Sequence, residues 1–234
     1  MGVEKENIYF HISDEPGEAD LEHYRSLSAV LLPMIEGCNQ IDALSRIDFY
    51  NTGAVKTPVV GTNDLEHFFE AGVEHLWCYY CCAQGKEVAN RFMAMPSERN
   101  RIIGTQMYLH NIEGFLHWGF NFYNSQLSKK HINPYEVTDA EYAFPSGDPF
   151  SVYPYKDGAT HSIRSRVFYD GLQDIRTFEL LETVMSHEEV VALIENYGTM
   201  TLDKYPTDYE ILLKIKQDAH KIIREKIAKY GSHH

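Results

Sequence analysis

Near its start, at Ile8, the chain carries an apolar, alternating run, "IYFHISDEP", that stops on two acids and a proline. A period of two predicts a strand over Ile8 to Ser13. From Glu18 to Ile35 the period lengthens: Leu21, Tyr24, Leu27, Val30 and Leu31 recur at helical spacing and predict a helix. "RIDFYNT", Arg46 to Thr52, and "TPVVG", Thr57 to Gly61, read as short strands. "NDLEHFFEAG" opens with Asn63 or Asp64 as an N-cap and closes on Gly72, a short helix. "VEHLWCYYCC", Val73 to Cys82, is a buried strand, and Ser97 to Ile112 a helix. "EGFLHWGFN", Glu113 to Asn121, is a strand rich in aromatics.

Beyond this the periodicity lapses. Asn124 to Pro149 carries Gly, Pro, Ser, Lys and Asp and reads as a long loop, a kind that is usually functional or disordered. "FSVYP" is a last short strand, "SIRSRVFYDGLQDIRTFELLETVM" a long amphipathic helix, and helices near Ser186 to Tyr197 and Thr207 to Tyr230 finish the chain. Strand and helix in alternation make a parallel α/β sheet. About five strands are too few for a closed eight-stranded barrel, so the sheet is open or part of a barrel. The expected organisation is one α/β domain over 1–185, C-terminal helices over 186–230, and a terminal "GSHH", 231–234, compatible with a tag remnant.

Composition narrows the function. With 234 residues, 44% of them hydrophobic, the chain can bury a sizeable core. A net charge of −13 without a Lys/Arg run argues against a nucleic-acid partner. No apolar run is long enough to cross a bilayer, and "MGVEKEN" is not a signal start, so no membrane partner is expected and, for the chain as given, a cytoplasmic location, the alternative being a fragment of a longer secreted protein. Glu6 stands where a myristoylation substrate wants Ser or Thr. Aromatics make up 13% of the chain, 16 of them Tyr, and offer flat faces with polar edges suited to sugar rings. The cysteines Cys38, Cys78, Cys81 and Cys82 include a C-x-x-C-C spacing. On a strand those thiols alternate faces, so buried free thiols are favoured over a metal centre.

Sites in parallel α/β folds lie at the carboxyl ends of the strands. The residues there are Asp14, Glu15, Tyr50, Asn51, Tyr79, Tyr80, Trp118 and Asn121, with Asp148 near the last strand. Acids and amides for hydroxyls and aromatic faces for C–H bonds suit carbohydrate. Asp14 and Glu15 can face one site only where the strand is ending, and Pro16 marks that ending and is expected to hold Glu15 extended. Two such acids titrate as a coupled pair. The plain alternative is one acid capping the next helix and the other solvated.

The blocks "YFHISDEP", "LWCYYCC", "EGFLHWGFNFYN", "SGDPFSVYP" and "SIRSRVFYDGLQDIRTFELLE" resemble, in order and spacing, the C-terminal half of the domain-of-unknown-function 4091 proteins. These are similar to glycoside hydrolase family 123, the β-N-acetylgalactosaminidases. The resemblance spans Ile8 to Leu181 and implies a partial (β/α)8 TIM-type barrel, strands four to eight, with C-terminal helices. It makes Glu15 the acid/base and Asp14 the residue that orients the substrate's own 2-acetamido group, whose carbonyl oxygen attacks the anomeric carbon. No cofactor and no metal are implied.

By the same resemblance Tyr79 is assigned to the acetamido oxygen, and Trp77 or Trp118 to the sugar subsite, with core packing as the alternative. Asn121 and Asp148 are assigned to hydroxyls, with turn chemistry as the alternative for Asp148. Arg164, Arg166, Asp174 and Arg176 on the long helix read as ion pairs, and His11 as a buried, satisfied histidine. The chain begins at what is the family's fourth strand, so a homo-oligomer or a missing N-terminal half is expected to cover the exposed sheet edge. The expected activity is retaining hydrolysis of terminal β-linked N-acetylhexosamine, and the alternative is a weak or inactive carbohydrate-binding or structural fragment.

Overall fold

The computed structural model describes residues 2–231, so the end of the tag reading, 232–234, lies outside the described residues. In chain order the elements are β1 (Tyr9–Phe10), α1 (Leu21–Leu31), β2 (Asn39–Leu44), α2 (Asp48–Asn51), β3 (Thr57–Gly61), α3 (Leu65–Glu70) and β4 (Trp77–Tyr79). Then come α4 (Glu98–Leu109), β5 (Gly114–Leu116), β6 (Val152–Tyr155), β7 (Gly158–His161), α5 (Ile163–Glu182), α6 (His187–Glu195) and α7 (Tyr209–Gly231). The fold is mixed α/β. β1 to β5 form one parallel sheet in the order of the sequence, as successive right-handed crossovers produce in part of a barrel.

The chain divides into two compact units. The first holds the residues up to Tyr80 together with Ile112–His117, and the second holds Cys81–Asn111 and the chain from Trp118 onward. In the first, Tyr24, Leu44, Phe49 and Val55 form a buried cluster on which Ile12, Leu21 and Ala54 pack. Val59 and Val60 of β3 are both fully buried, because a central parallel strand is covered on both faces. Val30, expected on the inner face of α1, is 63% exposed, so that face is narrower than the periodicity suggested.

One expected strand is wrong. Arg46 to Thr52 is not extended: Asp48–Asn51 is helical, with the amides of Tyr50 and Asn51 donating to the Ile47 carbonyl. The strand is β2, just upstream, where Gln40 and Asp42 interrupt the apolar pattern, yet both are buried. Their polarity hid the strand because their hydrogen-bond partners lie elsewhere in the chain.

In the second unit "FSVYP" does contribute a strand, but β6 pairs antiparallel with β7 in a separate two-stranded sheet, and β7 was not anticipated. The helices α4 and α5 cross on glycine. A Cβ added at Gly104 meets the Gly171 carbonyl oxygen at 2.0 Å, and one at Gly171 meets the Arg101 carbonyl oxygen at 2.7 Å. Only hydrogen in place of a side chain permits this approach. Beside the crossing, Arg101 grips buried Asp174 through two bonds, 2.7 and 3.0 Å, and Lys216 of α7 reaches the same carboxylate at 2.8 Å. The ion pairing expected of Asp174 is present, with partners on other helices.

A methyl group at position 104 has no space to enter. Gly104→Ala is expected to cost about 3 kcal/mol or more, read as a lowered denaturant midpoint or loss of soluble protein.

Candidate active site

The acid loop is tied down before it presents its acids. After β1 the amides of Ile12 and Ser13 both donate to Asp42 Oδ1, at 2.7 and 2.9 Å. Asp42 lies in β2 and is wholly buried. Its Oδ2 accepts the Tyr24 hydroxyl at 2.5 Å and Gln40 Nε2 at 3.3 Å. Burial, and then the bond to Asp42, raise the Tyr24 hydroxyl well above the usual tyrosine range, so it stays protonated and donates. His11 is exposed rather than buried as expected, and its Nδ1 stands 3.9 Å from Asp42 Oδ1, beyond hydrogen-bond reach.

Asp14 and Glu15 follow immediately, both exposed. Glu15 is not extended as Pro16 suggested: its φ is +43°. Proline disfavours the right-handed helical conformation in the residue before it, and the tethered Ser13 leaves little chain in which to turn, so the turn is made on the left-handed side. That conformation costs about 1–2 kcal/mol in a residue with a Cβ. The Glu15 Oε1 accepts a hydrogen bond from the hydroxyl of Tyr79, the last residue of β4 and only 4% exposed. The Tyr79 carbonyl in turn accepts the Thr62 amide at 2.9 Å, holding that strand end to its neighbour.

Asp64, which the sequence presents only as a cap, feels the charge of Glu15 and belongs to the same site. It occupies the N-cap position of α3 without a capping bond from its side chain, which accepts instead from Asn63 Nδ2 at 3.0 Å. Burial pushes its carboxyl up, Asn63, His67 and Ser45 oppose this, and the charge of Glu15 adds a smaller push in the same direction as burial. Its signal in the sequence is a carboxylate three residues past the end of a buried strand. Asp42 carried no such signal, because its strand was misplaced.

Trp77 is half-buried and shares the Tyr79 side of β4. Its indole lies flat against Gly114 of β5, where an added Cβ meets it at 2.1 Å, and its ring centroid is 5.0 Å from that of Tyr9. Tyr80 is fully buried, its ring 4.8 Å from Phe115. Tyr50 and Asn51 sit on α2.

Trp118, Asn121 and Asp148 belong to the second unit. There Trp118 packs on Phe144 and Phe122, centroids 5.0 and 5.9 Å away, and Asn121 is exposed. Asp148 is wholly buried with Arg91, whose Nη2 donates to the carbonyls of Asp148 and Trp118 at 2.8 and 3.1 Å and lies 3.4 Å from Asp148 Oδ1. Burial pushes the Asp148 carboxyl up to about 6, while Arg91, the Trp118 indole and the Cys82 amide pull it back. Two cavities of about 510 and 520 Å³ in this unit, one walled by Arg99 and Tyr205 and the other by His110 and Met200, contain none of the expected site residues.

The strand that carries Tyr79 ends there, so Cys81 and Cys82 lie past it, with sulfurs 4.0 Å apart rather than on opposite faces. Burial raises the Cys81 thiol to about 12. Among the described residues no three His, Cys, Asp or Glu side chains converge to hold a metal ion.

Carboxylates and a tyrosine hydroxyl gathered at the carboxyl ends of parallel strands stand where enzymes built on such sheets carry their sites. The chain belongs to glycoside hydrolase family 123: the model of that family's catalytic domain matches residues 2–181. Among solved structures it is similar to a family 123 glycoside hydrolase from Clostridium perfringens studied for glycolipid glycan hydrolysis, with a TM-score of 0.65 and 19% identity. That match covers 95% of this chain and 42% of the relative, so the chain spans less than half the relative's length. No curated protein matches the sequence.

The buried acid of the second unit leaves a pH signature. With its folded-state pKa raised to about 6, Asp148 keeps its proton in the folded state through a window where the unfolded chain has lost it. Stability therefore falls as pH rises from about 4 to about 6, by up to about 3 kcal/mol. In Asp148→Asn that fall disappears, so denaturant titrations at about pH 4 and pH 7 should show the variant gaining on wild type by up to that amount.

Proposed function

We propose that the chain carries the acid/base machinery of a retaining, substrate-assisted hydrolase of terminal β-linked N-acetylhexosamine. N-acetylgalactosamine is favoured by the family resemblance. The five parallel strands then correspond to strands four to eight of a (β/α)8 barrel. Glu15 protonates the glycosidic oxygen as the substrate's acetamido carbonyl oxygen attacks the anomeric carbon, and later takes a proton from the water that opens the cyclic intermediate. Asp14 orients the acetamido group and stabilises the charge that develops on it. Neither acid has to be a nucleophile, which is why adjacent positions in the chain suffice.

The observation that carries this reading is the hydrogen bond from Tyr79 to Glu15. It ties the acid to a buried strand end, and it leaves Tyr79 within reach of a group bound beside that acid. A second reading, a weak or inactive carbohydrate-binding or structural fragment, is favoured by the exposure of Asp14 and Glu15. An acid that must protonate a leaving group works best where water is excluded. Exposed Tyr9 and Phe10 on the outer strand β1 support association of two copies along that edge.

Nitrophenyl β-N-acetylgalactosaminide, its gluco analogue and the 2-hydroxy galactoside separate the readings. Cleavage of the acetamido sugars alone, reduced about 10²- to 10⁴-fold by Glu15→Gln, is the expected result. A folded wild type that releases no nitrophenol from any of them favours the second reading. Light scattering that returns a monomer removes the pairing along β1.

A further inference from the structure

We infer that Asp42 is a positioning residue for the acid loop: its buried carboxylate holds Ile12 and Ser13 so that Glu15 is delivered to Tyr79. The inference rests on the proposed role of Glu15 and extends it to a residue that never touches substrate.

Three observations carry it. The first is where the bonds go. Oδ1 takes the amides of two consecutive residues, Ile12 and Ser13, which directly precede Asp14 and Glu15. Two bonds from adjacent amides to one oxygen fix both the height and the rotation of the loop at its root, which a single bond or an apolar contact does not do.

The second is the cost. Asp42 is fully buried between Ile41 and Ala43, which are themselves buried and apolar. A carboxylate in such a place is kept at a penalty of several kcal/mol unless donors surround it, and an apolar side chain of similar size often serves stability as well. Here four donors converge on it, and half of them belong to the acid loop. All four groups donate to it, which suits a side chain that only accepts.

The third is Glu15 itself. A left-handed φ of +43° in a residue with a side chain persists only where the surroundings over-determine it. Pro16 constrains the residue from one side and the Asp42 clamp from the other. Without the clamp the root of the loop is free, the strained backbone relaxes, and Glu15 leaves Tyr79.

The two oxygens of Asp42 allow positioning to be separated from simple stabilisation. Oδ2 serves Tyr24 and Gln40 within the core, and Oδ1 serves the loop. Tyr24→Phe removes a core bond and leaves the loop bonds. Asp42→Ala removes both sets, and Asp42→Asn keeps one acceptor oxygen for the loop.

The test compares aryl 2-acetamido glycosides whose leaving groups differ in acidity, because a misplaced acid hurts poor leaving groups most. Asp42→Ala should lose at least about ten-fold more kcat on an unactivated phenyl glycoside than on a dinitrophenyl one, with Asp42→Asn between it and wild type. Tyr24→Phe should lower the melting temperature and leave that ratio unchanged. In parallel, amide hydrogen exchange at Ile12 and Ser13 should be at least about ten-fold faster in Asp42→Ala than in wild type. Equal loss on both leaving groups, or unchanged exchange at the two amides, overturns the inference. A wild type without activity sinks the hydrolase reading alone, since the exchange measurement still decides whether Asp42 holds the loop; if Asp42→Ala fails to fold, Asp42→Asn against Tyr24→Phe carries the same comparison.

Discussion

A negative charge removed from water must find donors, and the first unit is organised around one that does. Asp42 draws a hydroxyl from α1, an amide side chain from its own strand and two backbone amides from the loop after β1. Helix, sheet and loop are thereby joined at a point where apolar contacts alone permit sliding. The neighbouring cluster of Tyr24, Leu44, Phe49 and Val55 supplies burial, which is indifferent to small displacements. Direction comes from the hydrogen bonds.

The second unit meets the same demand by other means. Asp174 lies between Arg101 and Lys216, where two cations answer one carboxylate. Asp148 has Arg91 close by, yet that guanidinium also serves two backbone carbonyls, and the acid is left short enough of compensation that protonation becomes competitive. Burial does not decide the state of an acid by itself. The outcome depends on how many donors are committed to it and how many are shared.

Much of this was readable in the sequence, and the failures have a common cause. Where hydrophobicity alone builds an element, its period shows: Thr57–Gly61 is the strand expected, and the helices α3, α4 and α5 fall within a few residues of their predicted ends. Where polar residues form the element, it does not, so β2 was displaced onto Arg46 to Thr52. Gln40 and Asp42 look like loop residues until Tyr24, eighteen or fewer positions away, is seen to satisfy them. The candidate site divides in the same way. Asp14 and Glu15 stand out at the broken strand and Tyr79 at its strand end, while Asp64 reads as a cap and Asp42, in a strand the periodicity does not show, carries no signal. Trp118, Asn121 and Asp148 belong to the second unit, a division of the chain that strand periodicity does not encode.

The route of the chain also matters. It leaves the first unit after Tyr80, returns for Ile112–His117, and leaves again, so β5 pairs with β4 only after an excursion of some thirty residues through the other unit. Emerging from a ribosome, the sheet stays one strand short until that excursion has been synthesised. Proteolysis or truncation cannot cut either unit out as one continuous piece: a cut before β5 divides both units, and a cut after it divides the second. What evolution inherits or duplicates here is the pair, and a gene fragment ending before Ile112 leaves β4 without its outer neighbour.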